Sequence, residues 1–435
     1  MTEAPPRRRL PRAARPFAHA QYRILAFALV MSLFGAGVWL VSLVFEVKAL
    51  GGGPIQLSFV ATANAIGLIV ATLIGGAIAD RVPQKFILIT IESTKAVAIG
   101  AAAVLSLTGS IELWHLVVVA VVLGLADGFF YPAYSALLPS ILPADDLLAA
   151  NGVEGMLRPT IMQAAGPAIA GLIIAVAAPA WGFALVGVTQ LFAIAGLVWL
   201  RTTPVRRQLD EGEQGRHPVA TLFVDIADGF RYMVRTPWLL GTLLMASVLV
   251  FLVMGPIEVL LPFVVTDGLG GSAGDYALVL AAFGVGGALS SLVVASLRLP
   301  RRYLTIMVLG WSLGSLPLAI IGFTTSYGVV VLAVFVVGVS YSVGQVIWGT
   351  LLQRRVPPAM LGRVSSLDFF VSLVFMPISM AVAGPVGGAI GYGWTFLIAG
   401  ALPVVLGVVA ILAARMPRDE IENPLDGDRV LASSA

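Results

Sequence analysis

The sequence predicts an all-α integral membrane protein: twelve transmembrane helices in two pseudo-symmetric six-helix bundles. Three observations predict it. Hydrophobic residues make up 59% of the chain and charged residues 11%, more apolar surface than a water-soluble core of 435 residues encloses. Hydropathy then rises into twelve separate runs, each near the ~20 residues that carry a helix across ~30 Å of hydrocarbon. Finally, the second half echoes the first. Leu137-Leu138-Pro139-Ser140-Ile141-Leu142-Pro143 returns as Leu351-Leu352-Gln353-Arg354-Arg355-Val356-Pro357, an offset of 351 − 137 = 214 in a chain whose half-length is about 217. Within a few residues the same offset relates Asp80-Arg81-Val82-Pro83-Gln84-Lys85 to Leu297-Arg298-Leu299-Pro300-Arg301-Arg302, and Gly166-Pro167 with Gly171 to Gly384-Pro385 with Gly387 and Gly388. Two such bundles facing each other are the arrangement in which secondary transporters hold a substrate site at mid-membrane.

The elements follow in order. Residues 1–21 carry Arg7, Arg8, Arg9, Arg12 and Arg15 among prolines and read as a disordered basic tail. The apolar run behind them is too long for a signal peptide and lacks a small-residue cleavage site, so it stays in the membrane. Spans at 22–48, 55–79, 86–108, 113–138, 149–177 and 180–201 make the amino-terminal bundle, 22–201. The connection 202–237 divides the halves. Within it, 219–235 places Leu222, Phe223, Ile226 and Phe230 on one helical face and Asp225, Asp228, Arg231 and Arg235 on the other, an interfacial amphipathic helix. Spans at 238–265, 274–297, 303–325, 328–352, 365–390 and 393–414 make the carboxyl-terminal bundle, 238–414, and 415–435 is a tail.

Charge sets the orientation. Of 26 basic residues, Lys95 and Arg158 lie within spans and Lys48 alone sits at the opposite end, so 26 − 3 = 23 gather on the side of the termini. The bias predicts cytoplasmic termini. It also accounts for the net charge of +3 better than nucleic-acid binding does, because the arginines occupy loops between apolar runs. The absence of cysteine excludes disulfides, thiolate metal sites and cysteine nucleophiles; three scattered histidines argue against a metal centre. Without a Gly-x-x-x-x-Gly-Lys-Ser loop there is no sign of ATP hydrolysis, and no cofactor is expected.

These spans, the long central connection and Gly76-Ala77-Ile78-Ala79-Asp80-Arg81-Val82-Pro83-Gln84-Lys85 after span two resemble the major facilitator superfamily and its loop 2–3 motif. Pro83 stands where that motif has glycine, and Gln84 where it has a basic residue. Gly124-Leu125-Ala126-Asp127-Gly128-Phe129-Phe130-Tyr131-Pro132-Ala133, Ala149-Ala150-Asn151 and Asp225-Ile226-Ala227-Asp228-Gly229-Phe230-Arg231 resemble the efflux branch that includes macrolide, tetracycline and enterobactin exporters. Gly166-Pro167-Ala168-Ile169-Ala170-Gly171 is similar to the antiporter motif of drug exporters, with Met162 and Ala170 replacing two of its glycines. The resemblance implies a proton-exchanging drug exporter. Physically, Gly75 and Gly76 permit close helix approach. Asp80 is placed to meet a helix amino end, with Arg81 and Lys85 at the membrane surface, so Gly76, Asp80, Arg81 and Lys85 are read as a latch. Gly166, Pro167 and Gly171 permit a bend.

Charges inside the spans carry the coupling chemistry, since an ion in hydrocarbon costs a few kcal/mol without a partner or a wet cavity. Glu92, Lys95, Glu154 and Arg158 fall roughly 7 to 14 Å from the membrane edge, with Asp127 at a similar depth, and are expected to form one network. As a structural alternative, the same charges are a static packing cluster. Asp127, Phe130, Tyr131 and Tyr134 share one face of span four, and adding 214 gives Tyr341, Gly344, Gln345 and Trp348 on span ten. Phe130, Tyr131, Tyr134, Tyr341, Gln345 and Trp348 are the expected cavity lining, suited to bulky amphiphiles and to cations over their rings. Glu258, between Pro256 and Pro262 of span seven, is a lone carboxylate. Asp127, Glu258 and Glu92 are the proton-coupling candidates.

The expected function is alternating-access export of amphiphilic drug-like molecules from a bacterial inner membrane by a monomeric carrier in exchange for protons. Export of an endogenous siderophore or lipid-like metabolite is the alternative. A receptor or scaffold without transport has no need for buried acids, and an intramembrane enzyme lacks a nucleophile, base and orienting group together.

Overall fold

The computed structural model describes residues 12–79, 82–202, 227, 229–297 and 299–425. Among them all regular structure is helical. In the first half the helices are α1 (Ala20–Ala49), α2 (Pro54–Ala79), α3 (Gln84–Leu107), α4 (Leu113–Ile141), α5 (144–176) and α6 (Pro179–Val198). In the second they are α7 (Pro237–Gly268), α8 (Ala273–Ser296), α9 (Tyr303–Ile321), α10 (Tyr327–Arg355), α11 (358–390) and α12 (392–413). Among the described residues eleven helical stretches are long and apolar enough to cross a membrane, and the last of these, Phe370–Ala413, has 44 residues, about twice what one crossing needs. Gly391 breaks it with φ 84°, a left-handed conformation open to glycine, so α11 and α12 are separate passes and the crossings among the described residues number twelve.

Glycine contacts reveal the duplication. A Cβ on Gly124 of α4 would stand 2.0 Å from the Asn64 carbonyl oxygen of α2; one on Gly338 of α10, 214 positions later, would stand 2.2 Å from the Phe283 carbonyl oxygen of α8. Likewise Gly37 of α1 sits 2.3 Å, by the same measure, from the Met162 carbonyl oxygen of α5, and Gly255 of α7 sits 2.3 Å from the Ser379 carbonyl oxygen of α11. Each half is thus held by backbone-to-backbone crossings at equivalent places, the packing mode available where lipid removes any hydrophobic drive between helices.

The two halves are joined at the end opposite the termini. Lys48 at the end of α1 bonds the Thr266 hydroxyl, at 2.6 Å, and the Asp267 carboxylate of α7. The Gly384 amide of α11 donates to Ser58 Oγ of α2 at 3.0 Å. Gly171 of α5 rests on Ala277 and Gly274 of α8.

Of the expected tails, residues 1–11 and 426–435 lie outside the described residues. Arg12–Ala18 forms a short 3-10 helix rather than a disordered segment, and His19 behind it bonds Asp146 at 3.0 Å, which gives the segment a folded partner. After α12, Met416–Glu422 forms a further helix, α13, with Met416 and Glu420 buried. Glu420 accepts from the Thr305 amide at 2.7 Å and its hydroxyl at 3.0 Å, while Asp419 pairs with Arg355 of α10. The amphipathic helix expected over 219–235 lies mostly outside the described residues; 229–235 is helical.

Candidate functional site

The site is assembled on α3 and α4, which pack against each other. Lys95, one turn beyond Glu92 on α3, is buried, and its Nζ lies 2.5 Å from Asp127 Oδ1 of α4. The pair is lopsided: the Lys95 side chain is 7% exposed and that of Asp127 48%. Lys95 also lies over the Phe130 ring, 5.6 Å from its centroid, where the π face favours a cation. Phe130 in turn stacks on Tyr134 at 5.8 Å.

Glu92 is almost completely buried, at 1% exposure. Ser32 of α1 donates to its Oε1 at 2.8 Å, and among the described residues its Oε2 has no hydrogen-bond partner. Such an orphan costs about 1 to 3 kcal/mol. Arg158 opens a π-type turn, Arg158–Ala165, midway along α5. It lies within electrostatic reach of Lys95 in its own half and of Tyr341 in the other, so the site stands at the seam between bundles. Glu154, half-buried, is one turn before Arg158. The expected network is therefore built around two links, Ser32–Glu92 and Lys95–Asp127, with Arg158 and Glu154 beside them.

The two aromatic stripes divide. Tyr134 is 2% exposed and Trp348 7%, so both pack inside their own bundles instead of presenting a face to a cavity. Trp348 donates to Asp368 Oδ2 at 3.0 Å and meets Trp238 edge-on. Tyr341 and Gln345 are exposed, joined by a 3.0 Å bond from Gln345 Nε2 to the phenol oxygen, and Tyr341 lies beside Phe283 of α8. Helical spacing put all four positions on one face, but a 100°-wide face has edges, and the residue a full turn further on each helix turns into the bundle. The Tyr131 side chain lies outside the described residues.

Glu258 lies in a second π-type stretch, Pro256–Leu260, where the prolines at 256 and 262 remove backbone donors. It is half-buried, near Tyr276 of α8. In the antiporter-like motif, Gly166 packs against Gly37 of α1 and Gly171 against α8 of the other half, so the motif is a joint shared by three helices. Of the latch, Asp80 and Arg81 lie outside the described residues, Gly76 is in α2, and Lys85 donates to the Val198 carbonyl at 2.8 Å.

Sequence reasoning passed over three polar features. Glu46 of α1 is buried and accepts from Ser106 of α3 at 2.7 Å; it sits close enough to a span end to read as a boundary charge. The Lys48–Asp267 clasp and the Arg355–Asp419 pair join residues distant in sequence, which no local spacing announces.

Known proteins agree with this architecture. A family model described as transmembrane secretion effector matches residues 12–430. The multidrug efflux pump Tap of Mycolicibacterium fortuitum is 27% identical over 404 residues, covering 90% of this chain and 95% of Tap. The enterobactin exporter EntS of Escherichia coli is 26% identical over 398 residues, covering 88% of this chain and 91% of its own. Among solved structures, the nucleoside transporter NupG superposes with a TM-score of 0.68 at 12% identity over 90% of this chain and 98% of NupG, a likeness of fold. The chain belongs to the transmembrane secretion effector family, multi-pass membrane transporters of the major facilitator superfamily.

Proposed function

We propose that the protein exports amphiphilic, drug-like molecules across a bacterial inner membrane by alternating access, with both termini cytoplasmic, and exchanges them for protons. The observation that carries this reading is the Lys95–Asp127 pair at the seam, where an exposed carboxylate is held by a buried ammonium next to an aromatic ring. Such a carboxylate can hold a proton or a substrate cation, and differential contact with two conformations is what couples the two. Closure of the end bearing Lys48, Asp267, Ser58 and Gly384 supports a state open toward the termini. Phe130, Tyr341 and Gln345 supply stacking and hydrogen bonding for an aromatic substrate. Glu258 is a second proton site near the outer end.

Export of a siderophore is the second reading, favoured by the match to the enterobactin exporter. A catechol ring suits Tyr341, Phe283 and Gln345, while its charge suits Arg158. Purified protein in proteoliposomes, given an imposed pH gradient and a panel of cationic, neutral and catecholate compounds, tests both. Gradient-driven accumulation of the cations supports the first; accumulation of catecholates alone supports the second; no movement of any compound defeats export.

A further inference from the structure

The orphan oxygen of Glu92 asks for a partner that comes and goes. Buried polar groups are nearly always paired, and an exception calls for an explanation. Glu92 Oε2 lies in the amino-half interior, its carboxyl fixed through Oε1 by Ser32 of α1. One turn further along α3, on the same face, is the Lys95 ammonium. Nζ is a flexible point charge on a four-carbon stem, and it now rests on Asp127 of α4. The charged and polar groups facing this lysine are Glu92 on its own helix, Asp127 on α4 and Arg158 on α5, with Ser32 behind Glu92. Arg158 repels the ammonium, so Lys95 can leave Asp127 only for another carboxylate.

From this arrangement we propose that Glu92 is the second berth of Lys95: when a substrate cation takes the cavity side of Asp127, the ammonium withdraws to Glu92 Oε2 and Glu92 gives up a proton. This rests on the exchange reading above and specifies its site. The charges balance. Before binding, protonated Glu92, Lys95 ammonium and Asp127 carboxylate sum to zero. Afterwards the substrate cation and Asp127 carboxylate pair, the Lys95 ammonium and Glu92 carboxylate pair, the sum is again zero, and one proton has left for solvent. A monocation therefore exchanges for one proton without net charge movement. A neutral molecule cannot dislodge Lys95 and is not coupled through this site. Lys95 and Glu92 are positioning residues, since of these three charged groups only Asp127 touches the substrate.

The test measures protons released per ligand bound, with tetraphenylphosphonium added to detergent-solubilised full-length protein in weakly buffered solution and binding followed by calorimetry. The wild-type protein is expected to release one proton per bound cation. Glu92→Gln, which keeps an acceptor for Ser32, is expected to bind the cation and release none. Lys95→Met removes the group that moves between the two acids, so it too is expected to release none, and Glu92→Gln added to it changes nothing. Because the readout is normalised to bound ligand, misfolded molecules do not contribute. If the wild type releases a proton and Glu92→Gln releases it equally, the berth is elsewhere and this inference is overturned while exchange stands. If the wild type fails to bind the cation, or binds it without release, cation-for-proton exchange fails and the inference with it.

Discussion

The α4 face and the α10 face occupy equivalent places, yet their chemistry is opposite. At the first position α4 has Asp127, clamped by an ammonium from α3; α10 has Tyr341, whose carbonyl oxygen accepts from the Trp311 indole of α9 at 3.2 Å. At the next, α4 has the Phe130 ring; α10 has Gly344, where a Cβ would stand 2.1 Å from that same indole nitrogen. The amino half therefore fills the gap between its third and fourth helices with charge, and the carboxyl half fills the equivalent gap with an aromatic ring. Duplication has kept the scaffold, seen in the matched crossings at Gly124 and Gly338, and freed the face chemistry to diverge. The α4 face carries an ion pair where the α10 face carries neutral aromatic contacts.

The largest expected effect strikes what the halves share. Gly124→Leu and Gly338→Leu each force a side chain into a neighbouring backbone carbonyl, and no rotamer avoids a Cβ at 2.0 or 2.2 Å. Both should eliminate monodisperse protein on size-exclusion chromatography. Tolerance of one and not the other would mean that the crossings are not equivalent.

Next comes what they do not share. Asp127→Asn should cut pH-driven accumulation by about tenfold or more, ~1.4 kcal/mol on the coupled step, while downhill exchange continues. Tyr341→Phe, its counterpart, keeps the ring and should stay within about twofold, changing only which compounds are carried. Glu258→Gln should resemble Asp127→Asn if the outer acid also carries protons. Equal losses at Asp127 and Tyr341, read from proteoliposome uptake, would erase the division between the bundles.

The fold was legible because its causes are periodic: apolar length, the offset of 214 and the basic loops are all properties of the linear chain. Much of the charge site was legible too, since Glu92, Lys95, Glu154 and Arg158 stand out in apolar runs. Which partner each one takes was not. Asp127 is 32 residues from Lys95 in sequence and Ser32 is 60 from Glu92, so pairing depends on how three helices pack. The burial of Tyr134 and Trp348 was likewise invisible, because helical phase gives a face but not how far a neighbouring helix wraps it. The clasp at Lys48 shows the same limit across the seam.

That clasp yields a smaller effect. The Lys48–Asp267 pair is partly exposed, with side chains 25% and 54% accessible, so its contribution is ~1 kcal/mol at most and its loss shifts the balance of open and closed outer ends by about fivefold. The chain has no cysteine, so Ser58→Cys gives a single reporter on a buried seam position. In that background Lys48→Ala should raise labelling by a membrane-impermeant maleimide several-fold. Unchanged labelling would mean that the crossings at Gly384 and Gly171 hold the outer end closed without the ion pair.

The smallest effect tests whether the carboxyl half has hidden a carboxylate of its own. Asp368 of α11 sits behind the α10 face, accepting from Trp348 Nε1 at 3.0 Å and from Ser372 Oγ at 3.3 Å, and so is tied into the bundle by neutral donors where Asp127 is tied by an ammonium. Trp348→Phe removes one donor and keeps an aromatic ring against Trp238, so it should cost ~1 to 2 kcal/mol, a fall of a few degrees in the detergent melting temperature. Asp368→Asn retains acceptance through its amide oxygen and should cost less. The double variant should cost less than the sum, because both changes remove the same bond. Neither should alter proton coupling. If Asp368→Asn cut pH-driven transport as deeply as Asp127→Asn is expected to, an acid behind the α10 face would handle protons as well, and the contrast between an ionic face and a neutral one would give way to two ionic sites, one exposed at the seam and one behind it.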